Sequence, residues 1–307
     1  MLVMKTSAYF LTHSTAILSD ALESIVHVAA TAMALYSVVL SARPADESHP
    51  YGHGKIEFFS AGTEGGLIVV AALVIIFEAV RGILFGRELA QLDLGLMLTL
   101  IASLVNLWLG WFLIKRGRRT KSLTLIADGK HVLTDSWTSF GVVVGLVLVR
   151  LTGIELFDPL VAIGVAVNIL FSGYTLVRLS VGGLMDESDR TTLEHVVDII
   201  NTRRTPEWIN VHHLRVMRSG QLAHVDFHLT IPFYWNVKQA DAFAHAIDAH
   251  LAGGLESQAK VLTHLDPCVP ACCPMCGVAQ CDHRTMEFAA APRWDVQALV
   301  GKPPYRQ

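Results

Sequence analysis

Five long apolar segments constrain this chain more than anything else in it. They run over residues 14–42, 57–86, 92–115, 122–152 and 157–184. Each is long enough for the roughly 20 residues that a membrane-spanning helix needs. The composition agrees: 52% of the residues are hydrophobic and only 17% charged, with a mean hydropathy of +0.45, too apolar for an ordinary soluble domain. A net charge of −3 argues neither for nucleic acid nor for a strongly charged partner. The opening "MLVMKTSAYFLT" has a short apolar run but no basic n-region and no small-residue cleavage site, so it does not read as a secretory signal.

The positive-inside rule orients the spans. "KRGRRTKS" carries Lys115, Arg116, Arg118, Arg119 and Lys121, which predicts a cytoplasmic loop. Two segments back, "SARPADESHPYGHGK" is then cytoplasmic too, and the span ending near Met185 delivers the rest of the chain to the cytoplasm. The same parity brings the segment starting near Ser14 in from the outer face. Residues 1–12 therefore read as the remnant of an earlier span, giving six spans with the first truncated. A short re-entrant or interfacial piece is the alternative.

From about Ser188 the composition turns polar. "RTTLEHVVDIINT" predicts a helix with Leu193, Val196, Val197 and Ile200 on one face. "INVHHLRVMRSG" and "QLAHVDFHLTIP" predict a hairpin around Ser219 and Gly220, with Val225, Phe227, Leu229 and Ile231 alternating with His224, Asp226, His228 and Thr230. "VKQADAFAHAIDAHL" predicts a second helix with Val237, Ala240, Ala244, Ile247 and Leu251 toward the core, and "AKVLTHLD" a third strand. The fold class is thus an α-helical membrane domain over 1–185, a small open-faced α+β domain of order αββαβ over 186–268, and a cysteine-rich tail over 269–307.

Ionisable residues inside the spans are expensive and usually face a cavity or a partner. Glu23 and His27 stand four apart on one helical face, and so do His131 and Asp135 in a later span. Two carboxylate/imidazole pairs supply the four N/O ligands that a tetrahedral divalent ion takes. A polar interhelical lock is the competing reading. Asp20 and Asp128, each three residues before a pair, are read as supporting groups, and His13 as interfacial. In the cytoplasmic loop, Asp46, His49 and His53 could form a three-ligand site, with Pro50, Gly52 and Gly54 letting the backbone turn; a polar loop with solvated histidines is the alternative. Eight of the fourteen histidines lie between residues 186 and 268.

"SDALESIVH", "HPYGHGKIE" and "ADGKHVLTD", in this order and on these spans, resemble the cation diffusion facilitator family of divalent-metal/proton antiporters. "GLMDESDR" and "HLDPC" are similar to that family as well, so the resemblance covers the chain to about Cys268. It implies six transmembrane helices, a cytoplasmic metallochaperone-like ferredoxin-like αββαβ domain, a homodimer, and efflux of a divalent cation in exchange for protons. Its transport site falls on Glu23, His27, His131 and Asp135. Glu23 with His27 departs from the usual form, since most zinc members carry His or Asp first and Asp second. The loop site matches at Asp46, His49 and His53. The cytoplasmic site falls on His212, His228, Asp241, His264 and Asp266, with Asp241 where the family has a histidine.

The five cysteines all lie in the last forty residues, and Cys272, Cys276, Cys281 and His283 offer a structural Zn²⁺ set. A labile metal-acquisition tail and a disordered tail with free thiols are the alternatives. The expected activity is secondary active transport rather than enzymatic, with no cofactor beyond the divalent metal itself. Zn²⁺ leads, and Fe²⁺, Co²⁺, Ni²⁺ and Cd²⁺ are the other ions. The partners are protons, a second copy of the chain and the lipid bilayer, with no nucleic acid, and the place is a bacterial inner membrane. An intramembrane metalloprotease needs a His-Glu-x-x-His helix, which the chain lacks. A membrane metal sensor or assembly protein without transport is the remaining alternative.

Overall fold

The computed structural model describes residues 2–86, 92–120, 123–220, 222–255, 258–303 and 305. Side chains at 92, 117, 118, 120, 123–131, 134 and 135 also lie outside the described residues. The chain divides into two units, one of residues 1–37 and 59–180, the other of residues 38–58 and 181–307.

The first unit is helical. α1 (Leu2–Thr12), α2 (Thr15–Ser41), α3 (Ile56–Phe85), α4 (Leu92–Thr120), α5 (Leu123–Thr152) and α6 (Phe157–Leu184) follow the apolar segments. Among the described residues, α2, α3, Asp93–Arg116 of α4 and α6 are long and apolar enough to cross a membrane, and α5 contributes a shorter apolar stretch, Ser136–Thr152. One difference from expectation lies at the basic stretch: helix α4 continues through it to Thr120, because Lys and Arg are good helix formers.

Small side chains dominate the buried contacts of this unit: Ala8, Ala16, Ala72, Ala79, Ala162 and Ala166 surround Ile17, Ile75, Val142 and Leu146. Lipid gives little hydrophobic drive between helices, so close backbone approach and polar contacts carry the packing. Gly65 and Gly173 illustrate it. A Cβ on Gly65 would stand 2.9 Å from the Gly173 carbonyl oxygen, and one on Gly173 3.0 Å from that of Gly65, so α3 and α6 meet backbone to backbone.

Two buried carboxylates fasten the start of α2. Asp158 of α6 accepts from the Ser14 hydroxyl and from the backbone N–H groups of Thr15 at 2.8 Å and Ala16 at 3.3 Å. It thus occupies donors that a helix N-terminus leaves unpaired and complements the dipole there. Asp20 of α2 pairs with Lys5 of α1 at 2.8 Å and accepts from the Ser139 hydroxyl of α5.

The second unit holds α7 (Arg190–Arg203), β1 (Asn210–Ser219), β2 (Leu222–Ile231), α8 (Val237–Gly254), β3 (Ala259–Pro267) and a short α9 (Val296–Val300). The sheet order is β1-β2-β3, with β1–β2 antiparallel and β2–β3 parallel across the α8 crossover. Asp189 caps α7 and Asn236 caps α8. The core joins Leu193, Val196 and Ile200 of α7 to Val225, Phe227 and Leu229 of β2 and to Ile247 and Leu251 of α8. Val237, expected in that core, is 85% exposed because it opens the first turn of α8. Phe243 packs inward instead, against Trp208 and Trp235.

The other sheet face is open along β3, where Leu262 and His264 are exposed, and covered in part on β2. His224 and Thr230, on the polar side of β2, are buried. The α2–α3 loop covers one end, with the Tyr51 ring edge-on to His224 and Lys55 paired with Asp186 at 2.8 Å. The C-terminal segment covers the other, where the Tyr305 and Thr230 hydroxyls hydrogen-bond. That segment is built into the domain: the Arg204 guanidinium stacks 3.8 Å over Trp294, Asn201 donates to the Trp294 carbonyl, and Leu299 is buried in the main core.

Candidate metal centres

The cytoplasmic sheet builds its site by register. His212, His228 and His264 are successive cross-strand partners on β1, β2 and β3, so their rings line up on one face. The ring centroids lie 5.2 Å apart for His212 and His228 and 4.4 Å for His228 and His264. Asp266, two residues past His264, returns to the same face. One of its carboxylate oxygens meets His212 Nε2 and His228 Nδ1, both at 3.1 Å, and the other lies 3.5 Å from His264 Nε2. Ligand atoms of His212, His228 and Asp266 all fall within 4.8 Å of one another. The side chains of His212 and Asp266 are 2% and 10% exposed, that of His264 64%. The site is therefore rooted in the domain and open at one edge.

Asp241 does not join this group. It stands exposed on α8, 3.6 Å from His245 one turn along the same helix. The reason is helical phase: α8 turns Phe243, Ile247 and Leu251 inward, which leaves Asp241 and His245 outside. His213 takes a place near the histidine row that strand alternation does not foretell. A register shift between His212 and Arg215 breaks the β1–β2 pairing, and His213 sits at φ 53°, a left-handed conformation uncommon for a non-glycine residue. Its ring lies 5.2 Å from that of His212 and 5.3 Å from that of His228, and its N–H donates to the Gly301 carbonyl. The doubled "HH" is the only sequence hint.

The loop group is built by a turn. Asp46 accepts from the backbone N–H of His49 at 2.7 Å and from the Ser48 hydroxyl at 2.9 Å, the side-chain-to-backbone turn that aspartate favours. These two bonds, the backbone one first, hold its carboxyl below the usual carboxylate range. The carboxylate meets His49 Nδ1 and His53 Nε2, each at 3.3 Å, and the three residues offer ligand atoms within 4.8 Å of one another. Asp46 and His49 are exposed while His53 is largely covered, its Nδ1 buried with no hydrogen-bond partner among the described residues. Gly54 fixes the loop on the hairpin, since a Cβ there would stand 2.3 Å from the Ser219 carbonyl oxygen.

In the membrane unit, Glu23 and His27 are half-buried on α2. The Thr138 hydroxyl of α5 stands 3.5 Å from the Glu23 carboxylate, one turn from the Asp20–Ser139 contact. The His131 and Asp135 side chains lie outside the described residues, as does that of Asp128.

In the tail, Cys272 and Cys276 are buried against Ile209, and Cys268, Cys273 and Cys281 are partly covered; all five thiols are free. Burial pushes the Cys268 and Cys272 thiols up. Hydrogen bonding to the Thr285 backbone lowers Cys273. His283 packs its ring 5.0 Å from Phe233 and 5.2 Å from Tyr234.

Residues 1–185 match the model of the cation efflux transmembrane domain, and residues 189–268 that of the cation efflux protein cytoplasmic domain. An uncharacterized transporter of Synechocystis is 38% identical over 264 residues, covering 86% of this chain and 85% of its own. The cation-efflux pumps FieF of Yersinia pestis and Yersinia pseudotuberculosis are each 30% identical over 272 residues, covering 87% of this chain and 88% of theirs. The two domain matches join apolar helices to a histidine-bearing cytoplasmic sheet along nearly the whole chain, and on that ground the chain belongs to the cation efflux, or cation diffusion facilitator, family of integral membrane transporters.

Proposed function

We propose that the chain exports a divalent metal ion from the cytoplasm in exchange for protons, by alternating access, as a homodimer. Zn²⁺ is the leading substrate, with Fe²⁺, Co²⁺, Ni²⁺ and Cd²⁺ as alternatives. One observation carries the reading: an acid and an imidazole, Glu23 and His27, stand half-buried in an apolar helix with a polar neighbour, Thr138, on α5. Positions 131, 135 and 138 to 139 recur on one helical face by spacing. By that spacing His131 and Asp135 complete the proposed set. The transport site of the proposal is therefore Glu23, His27, His131 and Asp135.

Exchange follows from the donor chemistry. Metal needs ionised carboxylates and neutral imidazoles, so protons and metal compete for the same atoms, and imidazole changes charge near neutral pH. Protons from the outer face displace the ion and return inward with the empty carrier. The loop and sheet groups take metal on the cytoplasmic side and bias the inward-to-outward equilibrium.

The test is metal-driven proton movement in reconstituted vesicles. Glu23→Ala and Asp135→Ala should each abolish it while the protein still purifies folded; transport retained in both removes the four-ligand site. A membrane metal sensor that does not transport is the second reading, favoured by the two three-ligand groups outside the spans. Metal binding without metal flux in the same vesicles would select it.

A further inference from the structure

Residues 269–307 lie beyond both family models, yet they fold onto the cytoplasmic domain. Between Cys276 and Val296 there is no helix or strand, and the apolar cluster under this stretch has three buried members, Ile209, Cys272 and Cys276. Two of the three are thiols. So short a segment cannot hold itself by hydrophobic burial, and segments of this kind are ordinarily stapled by disulfides or a metal. All five cysteines are free thiols, and the tail follows directly from a domain on the cytoplasmic side, where thiols stay reduced.

The cysteines are gathered in space. All five, Cys268, Cys272, Cys273, Cys276 and Cys281, line one cavity of about 550 Å³, together with His283. The Tyr234 side chain lies beside Cys281, Cys276 and Cys268, and Cys268 and Cys272 neighbour each other and Cys273. The Arg284 guanidinium donates to the carbonyls of Cys273, Cys276 and Val278 at 3.0, 3.0 and 2.7 Å. It draws the loop around the cavity. Within that cavity the Cys273 sulfur is already paired, 3.6 Å from the Thr285 hydroxyl, and the His283 ring is taken up between Phe233 and Tyr234.

We infer that Cys268, Cys272, Cys276 and Cys281 form a structural four-thiolate site for a soft divalent ion of the Zn²⁺ or Cd²⁺ class, which staples the tail to the cytoplasmic domain. Four sulfurs suit tetrahedral coordination. Among the described residues, three-donor groups within 4.8 Å occur at the loop and at the sheet, so the ion draws these sulfurs inward as it binds, and binding and tail ordering are coupled. The staple matters beyond the tail, because the same segment supplies Gly301 to the His213 bulge and Tyr305 to Thr230 beside the histidine row. The inference stands apart from the proposed transport site.

The experiment is a Cd²⁺ titration of the full-length chain in detergent, followed by the ultraviolet thiolate-to-cadmium charge-transfer band. The expected result is a band saturating at about one Cd²⁺ per chain, as four sulfurs around one ion require. It should be kept in Cys273→Ser and in Glu23→Ala/His27→Ala, and lost in Cys276→Ser and in the less buried Cys281→Ser. Limited proteolysis between residues 277 and 294 should slow on adding metal in the parent chain and not in Cys281→Ser. A missing band, a band unchanged in Cys281→Ser, or a band that needs Cys273 overturns the inference. Failure of Glu23→Ala/His27→Ala to affect transport would leave it standing.

Discussion

The Lys5–Asp20 pair makes the membrane unit sensitive to a single substitution. Lys5 Nζ stands 2.8 Å from Asp20 Oδ1, with side chains 3% and 1% exposed. At that separation and an effective dielectric constant of ~20, the Coulomb attraction is about 6 kcal/mol. Desolvation offsets several kcal/mol for each ion, so the pair is near neutral as a whole, while removing one partner strands the other at a cost of about 3–5 kcal/mol. The neighbours decide where each single change falls. After Lys5→Met the Asp20 carboxylate still accepts from the Ser139 hydroxyl, which puts the loss near the lower figure. After Asp20→Leu the ammonium keeps, among the described residues, the Ser139 hydroxyl at 3.4 Å, which puts it near the upper one. The double variant Lys5→Met/Asp20→Leu restores an apolar contact, and its stability should return to within about 1 kcal/mol of the parent. Unfolding in detergent micelles, followed by loss of helical circular dichroism, closes this double-mutant cycle. Single losses below about 1 kcal/mol, or losses that simply add in the double variant, would refute the coupling.

Three further outcomes are expected. Asp266→Ala removes the carboxylate shared by His212, His228 and His264, and should lower Zn²⁺ affinity at the sheet by more than the ~10–100-fold typical of losing an outer-shell partner, read by calorimetry in a Glu23→Ala background. Gly54→Ala forces a Cβ to within 2.3 Å of the Ser219 carbonyl oxygen; it should destabilise the loop on the hairpin by about 1–3 kcal/mol, seen as faster proteolysis within residues 43–55. Burial, and then Lys260, lowers the His224 pKa below the ordinary histidine value, with Lys55 adding to the fall and Asp226 and Asp186 opposing it. The unfolded chain therefore takes up this proton first as pH falls. The stabilisation is full above the ordinary histidine value and declines as pH drops through it toward the lowered one. Unfolding against pH should lose that acid-side slope in His224→Phe.

The helices and strands were readable because their signal is local. Apolar length marks α2, α3, α4 and α6, and the alternation of Val225, Phe227, Leu229 and Ile231 marks the core face of β2. The gathering of Asp46, His49 and His53 was also legible, since they lie within eight residues and one turn brings their ligand atoms within 4.8 Å of one another. Features that depend on distant chain were not legible. Asp158 looks like part of a polar break until the start of α2 is seen resting on it. Lys5 has no visible reason to be polar until Asp20 and Ser139 close around it. His213 belongs by alternation on the opposite face from His212, and only the bulge, held by Gly301 from the far end of the chain, brings its ring to the row. Asp241, matched by family pattern, stands apart from the row within this chain, because the phase of α8 leaves it exposed beside His245.

The two histidine–aspartate groups of the second unit share a donor set but not an environment, and on the proposed reading that difference decides how each would handle metal. In the loop, Asp46 is half exposed and its ionised form is held by the His49 N–H and the Ser48 hydroxyl. It stays charged down to low pH, but water competes for it and salt screens it. Such a group captures ions quickly and releases them readily. At the sheet, Asp266 is mostly covered and already engaged by three imidazoles. An incoming ion must displace those hydrogen bonds and any imidazole proton, yet it gains a rigid set of donors fixed by strand register. A rigid, buried set binds more tightly and exchanges more slowly, and it shifts with protonation because the displaced protons enter the equilibrium. The loop is therefore suited to loading and the sheet to sensing. Zn²⁺ release followed by stopped flow should be faster from the loop than from the sheet, each isolated by Asp266→Ala or Asp46→Ala in a Glu23→Ala background. Equal rates would remove this division of labour.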